Sequence, residues 1–368
     1  MVGIRAGALG RFTRKQLVHL TRVVSCVVSL FASTISVTQT PAQPPQPTDG
    51  AAVPIEVFQG PRPKFKDFRL PDYPGGEKLD RNEGWVQLCL MVDAGGQTYE
   101  PAIMRSSGNK VFDHEALKAV RSLTFEPASL NGKPVDSGYE IKFKYRLSPP
   151  ADGARPEFVR NYNALMKATA ANDKAAADAA LSKLHVSNLY EDAYFGLATS
   201  SYAEHWGDDM QQLAGLQRAI AAEDSPRYLP KQIFPVALRA LFRLQVRTHD
   251  YGGALITWEK LTRVGIDAET ADNIKHVIDQ LEVLRTDTRE YAVPGKLENG
   301  TWYFHLFKSH FQVAVADGHV SEVRLRCDRR YVFFAFDPQV RYDVANGSGK
   351  CTLELVGEPG TTFSLIQS

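Results

Sequence analysis

The sequence predicts a multi-domain α+β protein, because its hydrophobic pattern changes twice along the chain. Residues 66–148 combine two-residue alternation with one amphipathic helical stretch, residues 157–290 are alanine-rich and helical, and residues 296–368 alternate again. At 368 residues the chain is also too long for one small core. Its composition, 43% apolar and 23% charged, is typical of folded domains and argues against wholesale disorder.

The charge balance gives no indication of a nucleic-acid partner. The chain has 43 Lys and Arg residues against 42 Asp and Glu residues, a net charge of +1. A nucleic-acid-binding surface would require a strong basic excess. We therefore expect partners of another class.

The N-terminus predicts export of the chain. Basic residues precede the first acidic residue, Asp49, and residues 23–37 form an apolar run rich in serine. This run is shorter than the ~20 residues of a membrane span, so we expect residues 1–37 to be a signal peptide. A retained single-pass anchor is the alternative. Residues 38–65 follow as a Pro-rich linker of polyproline character.

Two of the four cysteines predict a disulfide. Cys327 and Cys351 lie 24 residues apart in the C-terminal region, and an oxidising compartment favours their pairing. Two free thiols are the alternative. Cys89 falls in an apolar strand and is expected to be a buried small hydrophobe. No Cys or His spacing suggests zinc, and we predict no metal site.

Residues 66–148 predict the order strand, strand, helix, strand. Gly95 and Gly96 mark a hairpin turn, and a helix is expected to follow with Asp113 as its N-cap. In the last strand, residues 137–147, apolar side chains alternate with Lys and Arg, which predicts one buried and one solvated face.

Residues 157–290, beyond a linker at 148–156, predict helical hairpins. Turns are expected near residues 172–173, 207–208 and 250–252, and the first two are about 34 residues apart, the tetratricopeptide period. Such hairpins commonly bind peptides on a concave face. Residues 296–368 predict a small antiparallel β domain stapled by the disulfide.

The sequence contains no recognisable catalytic motif. Ser, Asp, His and Glu cluster between residues 104 and 128, but the zinc-protease, nucleophile-elbow and phosphate-loop spacings are absent. His305, His310 and Asp317 in the β region are the only support for an enzyme. We predict that the protein is not an enzyme, has no catalytic residues and needs no cofactor.

Several short features of residues 66–147 occur in a fixed order. They are Tyr73-Pro74, Glu83-Gly84, Asp93, Gly96, Ser106-Ser107-Gly108, Asp113, Ala116, Leu117, Ala119-Val120, Phe125 and Pro127-Ala128. In this order and spacing they resemble the C-terminal domain of the TonB energy-transducer family. The resemblance covers under a quarter of the chain and does not extend to the later regions.

The resemblance implies an envelope protein of a Gram-negative bacterium. Members of the family are anchored in the inner membrane, cross the periplasm through a Pro-rich spacer and capture an outer-membrane receptor segment as an added β-strand. The edge strand that this resemblance implies here consists of Ile141, Lys142, Phe143, Lys144, Tyr145, Arg146 and Leu147.

Two departures from the family decide between the functional hypotheses. The resembling domain is followed by 221 more residues, 148–368, and the Pro-rich spacer is short. We therefore expect a non-enzymatic periplasmic protein with a strand-pairing, peptide-binding role in TonB-type transmembrane transport. The alternatives are a genuine inner-membrane-anchored energy transducer and a tetratricopeptide-type scaffold without a transport role. In each case the expected partners are proteins or peptides, with an outer-membrane receptor segment as the first candidate.

Overall fold

The computed structural model describes residues 63–67, 70–148, 153–223, 227–344 and 348–368. The predicted export segment and most of the predicted Pro-rich linker lie outside these residues. Within them, none of the helices combines the length and apolar character needed to cross a membrane. The structure contains helices and several antiparallel sheets, which confirms the predicted multi-domain α+β class.

The first region is a three-stranded antiparallel sheet with one helix on its face. The sheet order is β3 (Thr98–Ser106), β2 (Gly84–Val92) and β7 (Ser137–Tyr145), and α2 (Lys110–Val120) packs on β2 and β3. Apolar side chains of both layers, among them Val86, Leu88, Phe112 and Phe143, form the core between them. The elements are β1 (Lys64–Asp67), α1 (Gly75–Leu79), β2 (Gly84–Val92), β3 (Thr98–Ser106), α2 (Lys110–Val120), β4 (Thr124–Glu126), β5 (Ala128–Leu130), β6 (Lys133–Val135) and β7 (Ser137–Tyr145).

The start of α2 corrects the predicted N-cap. Asn109 caps the helix, because its side chain accepts hydrogen bonds from the N–H groups of Val111 and Phe112. Asp113 instead lies within the first turn, where it is buried and pairs with Lys110 at 3.2 Å. Its carboxylate still lies near the positive end of the helix dipole.

The second region consists of helical hairpins with aspartate caps at their turns. The first helices of successive hairpins begin at Pro156, Leu189 and Ile233, so they are 33 and 44 residues apart. Asp173, Asp208 and Asp250 cap the second helices, and these turns lie where the sequence predicted them. The elements are α3 (Pro156–Ala170), α4 (Lys174–Leu181), α5 (Leu189–Trp206), α6 (Asp209–Ala219), α7 (Ile233–Arg247), α8 (Tyr251–Val264) and α9 (Ala268–Thr286).

The third region is a β-sandwich of two four-stranded sheets, ordered β13-β10-β15-β8 and β12-β11-β14-β9. Its core includes Phe311, Val323, Leu353 and Leu365. Cys327 and Cys351 lie opposite each other on β11 and β14 and form a disulfide. The strands are β8 (Tyr291–Lys296), β9 (Thr301–His305), β10 (His310–Asp317), β11 (Val320–Cys327), β12 (Arg330–Ala335), β13 (Tyr342–Asp343), β14 (Cys351–Gly357) and β15 (Thr362–Gln367).

The three regions meet on the sheet of the first region. β2 is buried on both faces. Its Trp85 packs into the core of the helical region, while a methyl group on Gly138 of β7 would lie 2.7 Å from the carbonyl oxygen of Cys327. The sheet face that does not carry α2 is therefore covered by the helical region at one end and by the β-sandwich at the other. We call it the second face.

Candidate strand-pairing edge

β7 is the outermost strand of its sheet. It pairs with β2 from Gly84–Tyr145 to Val92–Ser137 without a register shift, and no strand of the described chain continues this sheet on its other side. Such an edge presents backbone N–H and C=O groups on which a further strand can form hydrogen bonds. The geometry therefore suits strand addition.

The hydrogen bonds of β2 show which groups of β7 point to this edge. Trp85 accepts from the N–H of Ser107, and Asp93 donates to the carbonyl of Gln97, so odd-numbered residues of β2 direct their backbone groups toward β3. Alternation then directs the even-numbered residues of β2 toward β7. Through the register, the backbone groups that point away from β2 belong to Gly138, Glu140, Lys142 and Lys144.

The side chains of the predicted edge residues divide between the two faces of the sheet. Ile141, Phe143 and Tyr145 are buried in the core under α2. Lys142 and Lys144 were expected in solvent, but both are half-buried on the second face. The Lys142 Nζ donates to the carbonyl of Ala221 at 2.6 Å, so the helical region replaces the expected water.

The predicted edge strand is too long at its C-terminal end. β7 ends at Tyr145, so Arg146 and Leu147 lie beyond it. The N–H of Leu147 donates at 3.0 Å to the buried carboxylate of Glu83, on the β2 side of the strand. Leu147 is therefore an anchor of the domain and not an edge donor.

An aromatic cluster fixes the end of β7. Tyr145 stacks on Phe112 at 4.2 Å between ring centroids, and its hydroxyl donates to the carbonyl of Phe112. Tyr73 contacts both rings edge-on. Burial and the carboxylates of Glu83 and Glu77 raise the pKa of Tyr73 to about 12, and burial likewise raises the pKa of Tyr145. Both hydroxyls therefore stay protonated hydrogen-bond donors at neutral pH.

A buried polar contact that the sequence did not reveal holds the sheet against the helical region. Trp85 Nε1 donates to Asp192 at 2.7 Å, and Arg218 pairs with the same carboxylate at 2.6 Å. Arg218 also donates to the carbonyl of Ser107 at 3.0 Å. Burial raises the pKa of Asp192, and the charge of Arg218 opposes that shift. The nearly continuous apolar run of β2 was the available signal, since it predicts burial on both faces.

The residues considered for catalysis do not converge. His114 is exposed on α2, while His305 lies on β9 and His310 on β10, in different sheets of the sandwich; Asp317 ends β10. The Ser107 hydroxyl accepts from the N–H of Trp85, a structural hydrogen bond. Within the described ranges, no three His, Cys, Asp or Glu side chains are grouped as metal ligands.

The first region is similar in sequence to known proteins. Residues 69–147 match the family model described as "Gram-negative bacterial TonB protein C-terminal". The match stops before the helical region and the β-sandwich.

Two curated relatives and one solved structure share similarity with this chain. Protein TonB of Vibrio cholerae serotype O1 is 30% identical over 111 residues, 30% of this chain and 44% of that protein. Protein tonB2 of Pseudomonas aeruginosa is 32% identical over 78 residues, 21% of this chain and 29% of that protein. The solution NMR structure of the Pseudomonas aeruginosa TonB CTD is 22% identical, with a TM-score of 0.22, and the match covers 25% of this chain and 90% of that one. The chain therefore spans less than half the length of the curated relatives it matches.

Proposed function

We propose that this chain is a non-enzymatic protein of the Gram-negative envelope that binds an extended segment of a partner protein at β7. The partner segment adds as a strand, and the setting is TonB-dependent transport in the periplasm. The observation that carries the proposal is the outermost position of β7 in a domain that matches the TonB C-terminal family.

The edge offers main-chain affinity on a rigid support. Gly138, Glu140, Lys142 and Lys144 direct their N–H and C=O groups outward, and each hydrogen bond formed there contributes about 0.5–1.5 kcal/mol net. β2, the core under α2 and the helical region hold β7 in place. A strand that is already ordered loses little conformational entropy on binding, so more of this gain appears as affinity.

The test of this proposal removes one outward donor from β7. Glu140→Pro deletes an N–H that points away from β2 and leaves the β2 ladder unchanged, since proline is tolerated on an edge strand. Glu140→Ala is the matched control, because it removes the same carboxylate and keeps the N–H. Synthetic peptides from the plug segments of outer-membrane receptors are titrated into the full chain, and the β7 amide signals are followed by NMR.

We expect the peptide to shift the β7 amides, and Glu140→Pro to weaken binding about 2- to 10-fold, the equivalent of one hydrogen bond. Glu140→Ala should bind as the unmodified chain does. If no receptor peptide shifts any β7 amide, strand addition to receptors is excluded.

The membrane-anchored transducer differs from this proposal only at the N-terminus. Both use β7, but the transducer needs residues 1–37 to remain attached to the chain. N-terminal sequencing of the mature protein separates them: a start between residues 35 and 41 excludes the transducer. The tetratricopeptide-type scaffold predicts instead that partners bind the helical hairpins and that Glu140→Pro has no effect.

A further inference from the structure

A cleft separates the second face of the sheet from the hairpin of α7 and α8. Its floor crosses all three strands, because Arg105 of β3 and Lys142 of β7 both lie opposite Gln87 of β2. Asp250, the N-cap of α8, and Lys260 of α8 line the opposite side. His305 of β9 also lines the cleft. All three regions of the protein therefore contribute to this one cleft.

The space in the cleft suits one small polar group. It measures about 70 Å³ and is partly open to solvent, whereas a cavity of ~150 Å³ holds a benzene molecule. A group the size of a carboxylate therefore fits inside, while the remainder of a larger ligand would extend into solvent.

The charges in the cleft favour an anion. Arg105, Lys142 and Lys260 line it as cations, with His305 beside them, against the lining carboxylate of Asp250 and the nearby carboxylate of Glu140, which lies 3.9 Å from His305. The oxygens of Asp250 already accept hydrogen bonds from the N–H of Gly253 at 3.0 Å and from Gln245 at 3.2 Å. Its carboxylate thus caps α8.

Arg105 is the cation of this cleft that is best placed to bind a ligand. Its guanidinium makes neither a hydrogen bond nor an ion pair with any residue that the structure describes; Glu140 and Asp250 attract it only through space. The Arg105 side chain is exposed to the water of the cleft, and partial desolvation by the surrounding protein lowers its pKa. Its five N–H donors thus face the solvent of the cleft, where a ligand can reach them.

We propose that this interdomain cleft binds a carboxylate group, which Arg105 holds through two parallel N–H···O hydrogen bonds. A planar guanidinium and a carboxylate match each other in this geometry, and such charge-assisted pairs are stronger than neutral hydrogen bonds. Lys142 and Lys260 supply further positive charge. The carboxylate belongs either to a free small acid or to an acidic residue or C-terminus of a bound peptide. This site does not depend on strand addition at β7.

The test follows the Arg105 side chain directly. The full chain is labelled with ¹⁵N-arginine, and the Arg105 Nε–Hε signal is recorded during titration with sodium acetate at constant ionic strength. We expect a saturable shift of that signal. Arg105→Lys keeps the charge but loses the paired donors, so acetate affinity, measured by calorimetry, should fall about tenfold.

Two further variants separate binding from folding. Lys260→Gln should weaken acetate binding while the Arg105 signal is still observed, and Arg121→Gln, an exposed arginine at the end of α2, should change nothing. Thermal unfolding of each variant shows whether a loss of binding reflects a loss of structure. Equal acetate affinity in the unmodified chain and in Arg105→Lys, with both folded, would overturn the proposal.

Other ligands identify the anion and its source. Inorganic phosphate or chloride that shifts Arg105 as strongly as acetate would show a general anion site and also overturn the proposal. Peptides with a free C-terminal carboxylate are compared with their amides, and peptides with a central Glu with their Gln counterparts. Tighter binding of either acidic peptide than of acetate assigns the carboxylate to a partner chain, and tighter binding of acetate assigns it to a free acid.

Discussion

Asp192 is buried where the domain that matches the TonB C-terminal family meets the helical region, with only 1% of its surface exposed. Trp85 and Arg218 both donate to its carboxylate, and Arg218 continues to the backbone of Ser107. Asp192 and Arg218 together therefore connect β2, the residue after β3 and two helices. Because a buried carboxylate is costly without partners, this contact favours one docked arrangement of the two regions.

The first prediction concerns this residue. Asp192→Ala leaves the Trp85 N–H and the Arg218 charge without their acceptor, so the free energy of unfolding should fall by about 3 kcal/mol in urea denaturation. Asp178→Ala is the control, since it breaks an exposed ion pair with Lys174 and should change stability little. Similar effects of the two substitutions would show that Asp192 does not hold the regions together.

Residue identities alone were a poor guide to local roles at this scale. Aspartate is a residue type that commonly caps helices, yet α2 is capped by Asn109, four residues before Asp113. Lysine usually lies in solvent, yet the ammonium group of Lys142 donates to the carbonyl of Ala221 in the helical region. The two errors have different causes. Asn109 and Asp113 both bond to residues within three positions, so the prediction placed the start of the helix too late, whereas the partner of Lys142 is brought near only by the fold.

At the scale of elements, α5 and α6 pack with their backbones in close contact. A methyl group on Gly196 would lie 2.3 Å from the backbone nitrogen of Ala219, and one on Gly215 would lie 2.6 Å from that of Ser200. Backbone atoms cannot move aside as the end of a side chain can. These two glycines therefore set the distance between the helices and, through Asp192 and Arg218, the position of the docked sheet.

The second prediction tests this helix contact. Gly215→Ala should lower the free energy of unfolding by about 1–3 kcal/mol, because overpacking pushes the helices apart. Gly76→Ala in α1, where an added methyl group meets no atom within 4 Å, should cost nothing measurable. An equal stability of Gly215→Ala and the unmodified chain would mean that the helices tolerate separation.

β2 and β7 show how far elements could be predicted from the sequence. Turn residues and two-residue alternation are local signals, so the hairpin at Gly96, the helix that follows and the last strand were predictable. The apolar run of β2 indicated burial on both faces, but no local signal named the surfaces that cover it. The Asp192 contact and the carboxylate cleft depend on those surfaces and were missed for that reason.

At the scale of the whole molecule, the β-sandwich also supports the edge strand. The Cys327 carbonyl packs against Gly138 at the start of β7. In the same interface Arg326 donates to the carbonyl of Glu100, and Tyr331 to the carboxylate of Glu100. The strand that carries one half of the disulfide thus borders the strand proposed to bind a partner.

The third prediction follows from this contact. Replacing both Cys327 and Cys351 with Ser should cost about 3 kcal/mol of stability, since the open chain gains loop entropy when it unfolds. Because Cys327 touches Gly138, hydrogen exchange at the start of β7 should become faster. Urea denaturation and exchange mass spectrometry measure the two effects.

Reduction of the unmodified chain provides the control for this prediction. A reducing agent should lower the stability of the unmodified chain to that of the double variant. Cys89 is a buried free thiol with no disulfide to lose, so it should not contribute to this change. If hydrogen exchange in β7 is unchanged after reduction, the disulfide of the sandwich does not stabilise the edge strand.

The sequence by itself determined the α+β class, the TonB C-terminal resemblance and the hairpin turns, because each rests on spacings within one segment. Only the tertiary structure decided that the three regions share one sheet face, that Lys142 contacts the helical region, and that Arg105 lies in a common cleft. Periodicity shows whether a face of an element is apolar, but a contact between residues far apart in the chain leaves no period in the sequence. The clefts and contacts that join the regions are therefore properties of the folded chain.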